Sequence, residues 1–245
     1  MTPFSVALVT GASKGIGREI ALRLADDGFD LTINSRNSEE LELVAQEIRS
    51  KGRKALCQVG DVSDEAVIVG MVERTVKEYG KLDVMVANAG VSILGKVVDL
   101  SVEQWDRSMA LNLRSVMLCY KYAAIQMIKQ GTGGRIIGES LLSRVDECPE
   151  VAAYVATKFA IRGLTQCLAI ELIEHRITVN AYAPGRLQNM YARVAISHYR
   201  RDTDHAYMPH TKVCGIPPDG PSATPDAVSS LVSYLVKPEA YFITG

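Results

Sequence analysis

Short runs of consecutive apolar residues alternate along this chain with longer stretches whose apolar positions recur every three or four residues. The runs read as buried strands, and the stretches as helices that bury one face. Val6-Ala7-Leu8-Val9 is the first strand, and Ile16, Ile20, Leu22, Leu24 and Ala25 mark the helix after it. Phe29–Ser35 is a second strand. Asn37 and Ser38 stand as caps before a helix with Leu41, Val44, Ala45 and Ile48 inward, closed by Gly52. Ala55–Gly60 is a third strand, and Ser63 starts a helix with Val67, Met71, Val72 and Val76 inward and Gly80 as its stop. Val84–Ala87 is a fourth strand. A long helix is predicted over Val102–Gln130, broken by Gly131-Thr132-Gly133-Gly134, after which Arg135-Ile136-Ile137 opens a fifth strand. A helix over Ala153–Glu174, a strand over Thr178–Ala183, a helix over Pro225–Val236 and a short strand at Tyr241–Ile243 complete the pattern. Residues 186–222 are irregular and rich in charge, His and Pro.

Repeated strand–helix alternation with wholly apolar strands predicts an α/β fold. The expectation is a doubly wound parallel sheet of about seven strands with helices on both faces. No break in composition divides the chain, so residues 1–245 form a single domain. Ligands of such a sheet bind beyond the carboxyl ends of its strands, where the strand order reverses.

Composition narrows the function. A net charge of −1 gives no reason to expect nucleic acid or an acidic membrane as partner. No apolar run reaches the length of a membrane span, and the first strand begins too early to leave room for a signal peptide. The cysteines, Cys57, Cys119, Cys148, Cys167 and Cys214, are odd in number and show no CxxC pair. They read as reduced, mostly buried thiols of a cytoplasmic protein.

Candidate chemistry gathers at the strand ends. Thr10-Gly11-Ala12-Ser13-Lys14-Gly15-Ile16-Gly17 lies where the first strand turns into a helix. Gly11 permits the turn, Gly15 lets a backbone approach, and Gly17 lets the helix lie near the sheet. The helix N-terminus offers free N–H groups and partial positive charge to a pyrophosphate. After the second strand an acidic residue would suit a free ribose 2′-hydroxyl, but the chain has Asn34-Ser35-Arg36. Arg36 could bind a 2′-phosphate with Lys14 as a second cation, which points to NADP(H); a solvated turn residue is the plainer alternative for Arg36. Asp61-Val62 could hold the adenine edge, or Asp61 could simply start a helix. Asn88-Ala89-Gly90 would be a small, flexible turn with room for the cofactor ribose. Tyr154 and Lys158 are four apart on a helix and share a face, so the ammonium would favour the phenolate of Tyr154.

Together these residues resemble the short-chain dehydrogenase/reductase family. The matching pieces are TGASKGIG (10–17), Asp61-Val62, Asn88-Ala89-Gly90, Asn112, Tyr154-Val155-Ala156-Thr157-Lys158 and Pro184-Gly185. GRIIGES (134–140), AAYVATKFAIRGLTQ (152–166) and ITVNAYAPG (177–185) look most like acetoin/diacetyl reductases and related NADPH-dependent ketone reductases. The resemblance implies a Rossmann-type domain that moves a hydride between nicotinamide and a small ketone or alcohol. Tyr154 would give or take the proton, Lys158 would bind the nicotinamide ribose and tune Tyr154, and Asn112 would hold a relay water. Pro184, Gly185 and the Leu187 backbone would hold the nicotinamide, with Asn189 at its carboxamide. Residues 186–222 would be the substrate lid, and the helices carrying Asn112 and Tyr154 would pair subunits into a homodimer or homotetramer. Relatives continue past Ile-Thr-Gly, which here is Ile243–Gly245, so a dimer is the smaller expectation.

The pattern departs from the family at one point. The catalytic Ser is expected thirteen residues before Tyr154, where this chain has Leu141. Ser140 or Ser143 could substitute through a shifted loop. Loss of one oxyanion donor typically costs roughly 3–4 kcal/mol. The expectation is an active but atypical reductase; the alternatives are a non-reductive enzyme on the same scaffold and a non-catalytic NADPH-binding protein. Glu139 would disfavour the phenolate if it pointed inward, but the default is solvent or a pair with Arg144. His198, Arg200, Arg201, His205, His210 and Cys214 make the lid polar, with no metal-ligand spacing.

Overall fold

The structure, a computed structural model, describes residues 5–140, 149–185, 187 and 222–245. Six parallel strands form one sheet: β1 (Val6–Val9), β2 (Asp30–Ser35), β3 (Ala55–Val59), β4 (Val84–Ala87), β5 (Gly134–Glu139) and β6 (Ile177–Tyr182). Their order is β3-β2-β1-β4-β5-β6. The chain winds outward from β1 to β3, then crosses back to β4, so the order reverses between β1 and β4.

Side chains alternate across each strand, and this sorts the core into two layers. Ala7, Val9, Val84, Val86 and Ile137 face a layer under α1 (Gly15–Asp26), α2 (Ser38–Ser50) and α7 (Pro225–Leu235). Leu8, Met85, Ala87, Ile136 and Val179 face the other, under α3 (Glu65–Tyr79), α5 (Ser115–Gln130) and α6 (Ala152–Glu171). Both faces of the sheet are therefore covered, which is why its strands carry unbroken apolar runs.

Local chemistry sets the helix ends. Asn37 caps α2 by accepting from the amides of Glu39 and Glu40. α3 begins later than Ser63: Asp64 is its cap, and Gly80 ends it in the left-handed conformation at φ 81°. Its buried face is Ile68, Met71, Val72 and Thr75 rather than a line through Val67 and Val76. Thr75 is tolerated inside because its hydroxyl lies 2.7 Å from the Met71 carbonyl and 2.8 Å from Thr32 Oγ1.

Two expectations change. The predicted helix from Val102 to Gln130 is α4 (Val102–Ser108) and α5 joined by a π-helical segment, Met109–Arg114, which carries the buried Asn112. Residues 241–243 form no strand. Amide bonds from Tyr241 to Pro238 O and from Ile243 to Ala240 O keep that segment coiled after a 3-10 turn. It meets β6 through a mixture of bonds: Asn180 Nδ2 donates to Ile243 O, the Val179 amide to Thr244 Oγ1, and the Gly245 amide to Val179 O.

Candidate active site

The residues singled out in sequence lie just past the carboxyl ends of the strands, around the β1/β4 reversal. Gly11 and Gly15 adopt φ of 65° and 59°, and a Cβ on Gly15 would meet only open space. Gly17 packs so close to Gly11 O and Asn88 Nδ2 that a side chain there would collide with both. α1 has no side-chain cap at Lys14, whereas α2, α3 and α4 are each capped by a side chain. Its first amides therefore face the site without a protein acceptor from a capping side chain.

At the end of β2 a chain of hydrogen bonds ties the glycine turn to α2. The Asn37 amide donates to Ser35 Oγ, Ser35 Oγ to Ser13 Oγ (3.0 Å), and Ser13 Oγ to Glu40 Oε2 (3.1 Å). Beside it is a cleft of about 480 Å³ lined by Ser13, Lys14, Arg18, Glu40 and Glu47, among others. Arg36 is exposed, with its guanidinium 3.8 Å from Asp61. The Ser63 amide donates to Asp61 Oδ1 at 2.9 Å and is the main cause holding the Asp61 carboxyl below its usual range. Asp61 thus shapes the turn before α3, with its second oxygen toward Arg36; Val62 beside it is buried core.

Asn88 is held rather than flexible. Its Nδ2 donates to Thr10 O (2.9 Å) and Gly11 O (3.3 Å), and its Oδ1 accepts from Tyr182 Oη (2.8 Å). The amides of Asn88 and Ala89 both donate to Thr10 Oγ1. One asparagine therefore fastens the ends of β1, β4 and β6 together.

Three residues after Asn88, the backbone of Val91 pairs both ways with Asn112, whose side chain accepts from its amide and donates to its carbonyl, each at 2.8 Å. The π segment, with its wider turn, carries this buried side chain. Gly90 lies between: a Cβ there would sit 3.2 Å from Asn112 Oδ1 and 3.9 Å from both Glu139 Oε2 and Lys158 Nζ.

Tyr154 and Lys158 lie on one face of α6, with the Lys158 ammonium 5.3 Å from the centre of the Tyr154 ring. That ammonium donates to Glu139 Oε2 and to the Glu139 carbonyl, both at 3.0 Å. Glu139 is buried and turned inward, which overturns the expectation of solvent. Ser140 Oγ donates to the Lys158 carbonyl at 3.1 Å, so its proton is directed into α6. Leu141, Ser143, Arg144 and Asn189 lie outside the described residues, as do the lid residues His198, Arg200, Arg201, His205, His210 and Cys214. Pro184 and Gly185 follow β6 directly, and Leu187 is core, bridging to Ala223.

The sequence pattern described as short chain dehydrogenase matches residues 5–197. The chain belongs to the short-chain dehydrogenase family. It is 42% identical over 250 residues to the short-chain dehydrogenase/reductase eriH of Hericium erinaceus, covering 100% of this chain and 95% of that one. It is 32% identical to a diacetyl reductase [(S)-acetoin forming] of Staphylococcus epidermidis, over 98% of this chain and 94% of the relative. Among solved structures, an NAD+-bound xylitol dehydrogenase superposes with a TM-score of 0.86 at 30% identity, covering 98% of this chain and 95% of that one. As a short-chain dehydrogenase the protein belongs to an oxidoreductase family that works with nicotinamide cofactors. Its own site fits such a group: the open space at Gly15 and the first turn of α1, which has no side-chain cap, lie past the carboxyl end of β1.

Three features of this short-chain dehydrogenase were not anticipated from sequence. They are the Glu139–Lys158 pair, the contact of Glu40 with Ser13, and Tyr182 as the partner of Asn88. Of the described cysteines only Cys119 is buried; Cys57 is half-buried and Cys167 exposed. No helix among the described residues is long and apolar enough to cross a membrane.

Proposed function

We propose that the protein is an NADP(H)-dependent reductase of small ketones, running in reverse on the alcohols, with Tyr154 as acid and base. The observation that carries this reading is the Tyr154–Lys158 face of α6, set beside the reversal between β1 and β4. When bound, the nicotinamide supplies the hydride. Tyr154 Oη gives its proton to the carbonyl oxygen as the hydride arrives. Lys158 would donate to the nicotinamide ribose, and its ammonium lies against the Tyr154 ring. Asn112 fixes the wall opposite, and Ser140 supports α6 at Lys158 rather than polarising the carbonyl. Pro184, Gly185 and the Leu187 backbone would hold the nicotinamide.

Lys14 and Arg36 favour a 2′-phosphate, since Arg36 has only a loose partner in Asp61 at 3.8 Å. Glu40 favours the second reading, NAD(H): a carboxylate already hydrogen-bonded to Ser13 could accept from a ribose 2′-hydroxyl. The outer faces of α5 and α6 expose Ile125, Ile128, Phe159 and Ile170, which supports a cytosolic dimer paired through these helices.

The test is turnover of a panel of ketones with NADPH and NADH, beside direct binding of each cofactor. Tyr154→Phe is expected to lower kcat by about a hundredfold or more while still binding cofactor. Arg36→Ala is expected to weaken NADPH roughly tenfold and leave NADH unchanged. Undiminished turnover by Tyr154→Phe defeats the acid role, and tighter binding of NADH than NADPH by the unaltered protein gives the cofactor to the second reading.

A further inference from the structure

Glu139 is the last residue of β5, and it closes a strand that is otherwise apolar from Ile136 to Gly138. Its side chain is 9% exposed and that of Lys158 is 2% exposed. Charges this deep are stable together and costly apart, because the interior screens them weakly. The ammonium is gripped twice by one residue, through the Glu139 carbonyl and through Oε2, each at 3.0 Å. The grip leaves it over the Tyr154 ring and against Gly90.

A lone ammonium beside a phenol favours the phenolate, and a carboxylate beside it has the opposite effect. Here the two lie in contact, so the carboxylate offsets part of the effect of the ammonium on Tyr154. The sign is visible at the neighbouring phenol. Burial first, and then the Glu139 carboxylate, push Tyr182 well above the ordinary phenol range. Among the described residues, Lys158 on α6 holds Glu139, the charge of Glu139 reaches Tyr182 on β6, and Tyr154 on α6 and Tyr120 on α5 also bear on Tyr182.

We propose that Glu139 is a positioning residue that fixes the Lys158 ammonium against Tyr154, opposes its pull on the phenol, and so keeps Tyr154 in the proton-donating form through neutral pH. The site is then set for carbonyl reduction, and alcohol oxidation needs alkaline conditions. This rests on the role given to Tyr154 above.

Glu139→Gln tests it, because the amide oxygen can still accept from Lys158 while the charge is gone. Two readouts are followed across pH: kcat/KM for alcohol oxidation, and tyrosinate absorbance as the difference between each protein and its Tyr154→Phe counterpart. In the unaltered protein, Tyr154 is expected to stay protonated at pH 8. In Glu139→Gln, both curves are expected to move toward acid by about one unit or more. Coincident curves for the two proteins would overturn the proposal. So would a Tyr154 that ionises below pH 7 in the unaltered protein, a result that needs no variant to fold. Absence of turnover by the unaltered protein on every substrate would instead count against the reductase reading, and the absorbance titration would still decide the role of Glu139.

Discussion

Replacing Asn88 by Ala should cost the protein a large part of its stability, although the side chain is small. The change removes the bonds from Nδ2 to Thr10 O and Gly11 O, and it strips Tyr182 Oη of its acceptor. Tyr182 is 1% exposed, so water cannot replace that acceptor. Three lost bonds at about 1 kcal/mol each, plus the stranded hydroxyl, come to about 3–5 kcal/mol. For a chain of this length that is a fall of roughly 10 °C or more in Tm. Tyr182→Phe should cost less, about 1–2 kcal/mol, since it strands only Asn88 Oδ1. The double variant should be less destabilised than the sum, because both single changes break the same bond. Urea and thermal unfolding at matched protein concentration, with cofactor absent, provide the measurement. An Asn88→Ala protein that melts within about 2 °C of the unaltered one would refute the claim that this amide ties the three strands.

Two further outcomes follow from the titrating groups. The Asp61 carboxyl is held below its usual range, first by the Ser63 amide, so its stabilising contribution is present above the unfolded value and lost as pH falls through the folded one. Asp61→Asn should therefore lower stability near neutral pH and flatten the acid limb below about pH 4 in pH-dependent melts. Burial pushes the thiol of Cys119 up to about 12, and burial followed by the Glu42 carboxylate pushes Cys57 up to about 11. Alkylation at pH 8, mapped by peptide mass, should mark exposed Cys167 first, Cys57 roughly a hundredfold more slowly, and Cys119 only on unfolding.

The strands and most helix faces were legible because each is written by a local pattern: an apolar run, a cap, a glycine stop. What was hidden depends on contacts far apart in the chain. α4 buries only Ser108, so it carries no apolar stripe against which a change of period at Met109–Arg114 could be read. Glu40 lies three residues after Asn37, the spacing at which an acid usually reaches back to the cap amide. Here Ser35 Oγ accepts from that amide, and Glu40 is left to take the Ser13 hydroxyl. Glu139 reads as a solvated residue because a charge is rarely buried without a partner. Its partner Lys158 is nineteen residues on, so no window of sequence contains the reason. The signal that was available is that both residues fall at the carboxyl edge of the sheet, one ending β5 and the other on the face of α6 that looks toward it.

The Asn88-Ala89-Gly90 turn shows how far the rigidity of a small-residue segment can be misread from sequence. Small residues after a strand suggested flexibility, and the location beside a cofactor seemed to call for it. The segment is instead fixed at both ends, by Asn88 to Thr10 and Tyr182 and by the two-way bond between Val91 and Asn112. Gly90 does not need freedom of rotation, since its φ is not among the positive values. It needs room: the space a Cβ would take is bounded by Asn112 Oδ1, Glu139 Oε2 and Lys158 Nζ. A side chain at Gly90 would press on the carboxylate and the ammonium together, and the ammonium is what sits over Tyr154. The glycine therefore belongs to the electrostatics of the candidate site, because its missing side chain leaves room for the buried Glu139–Lys158 pair beside Asn112.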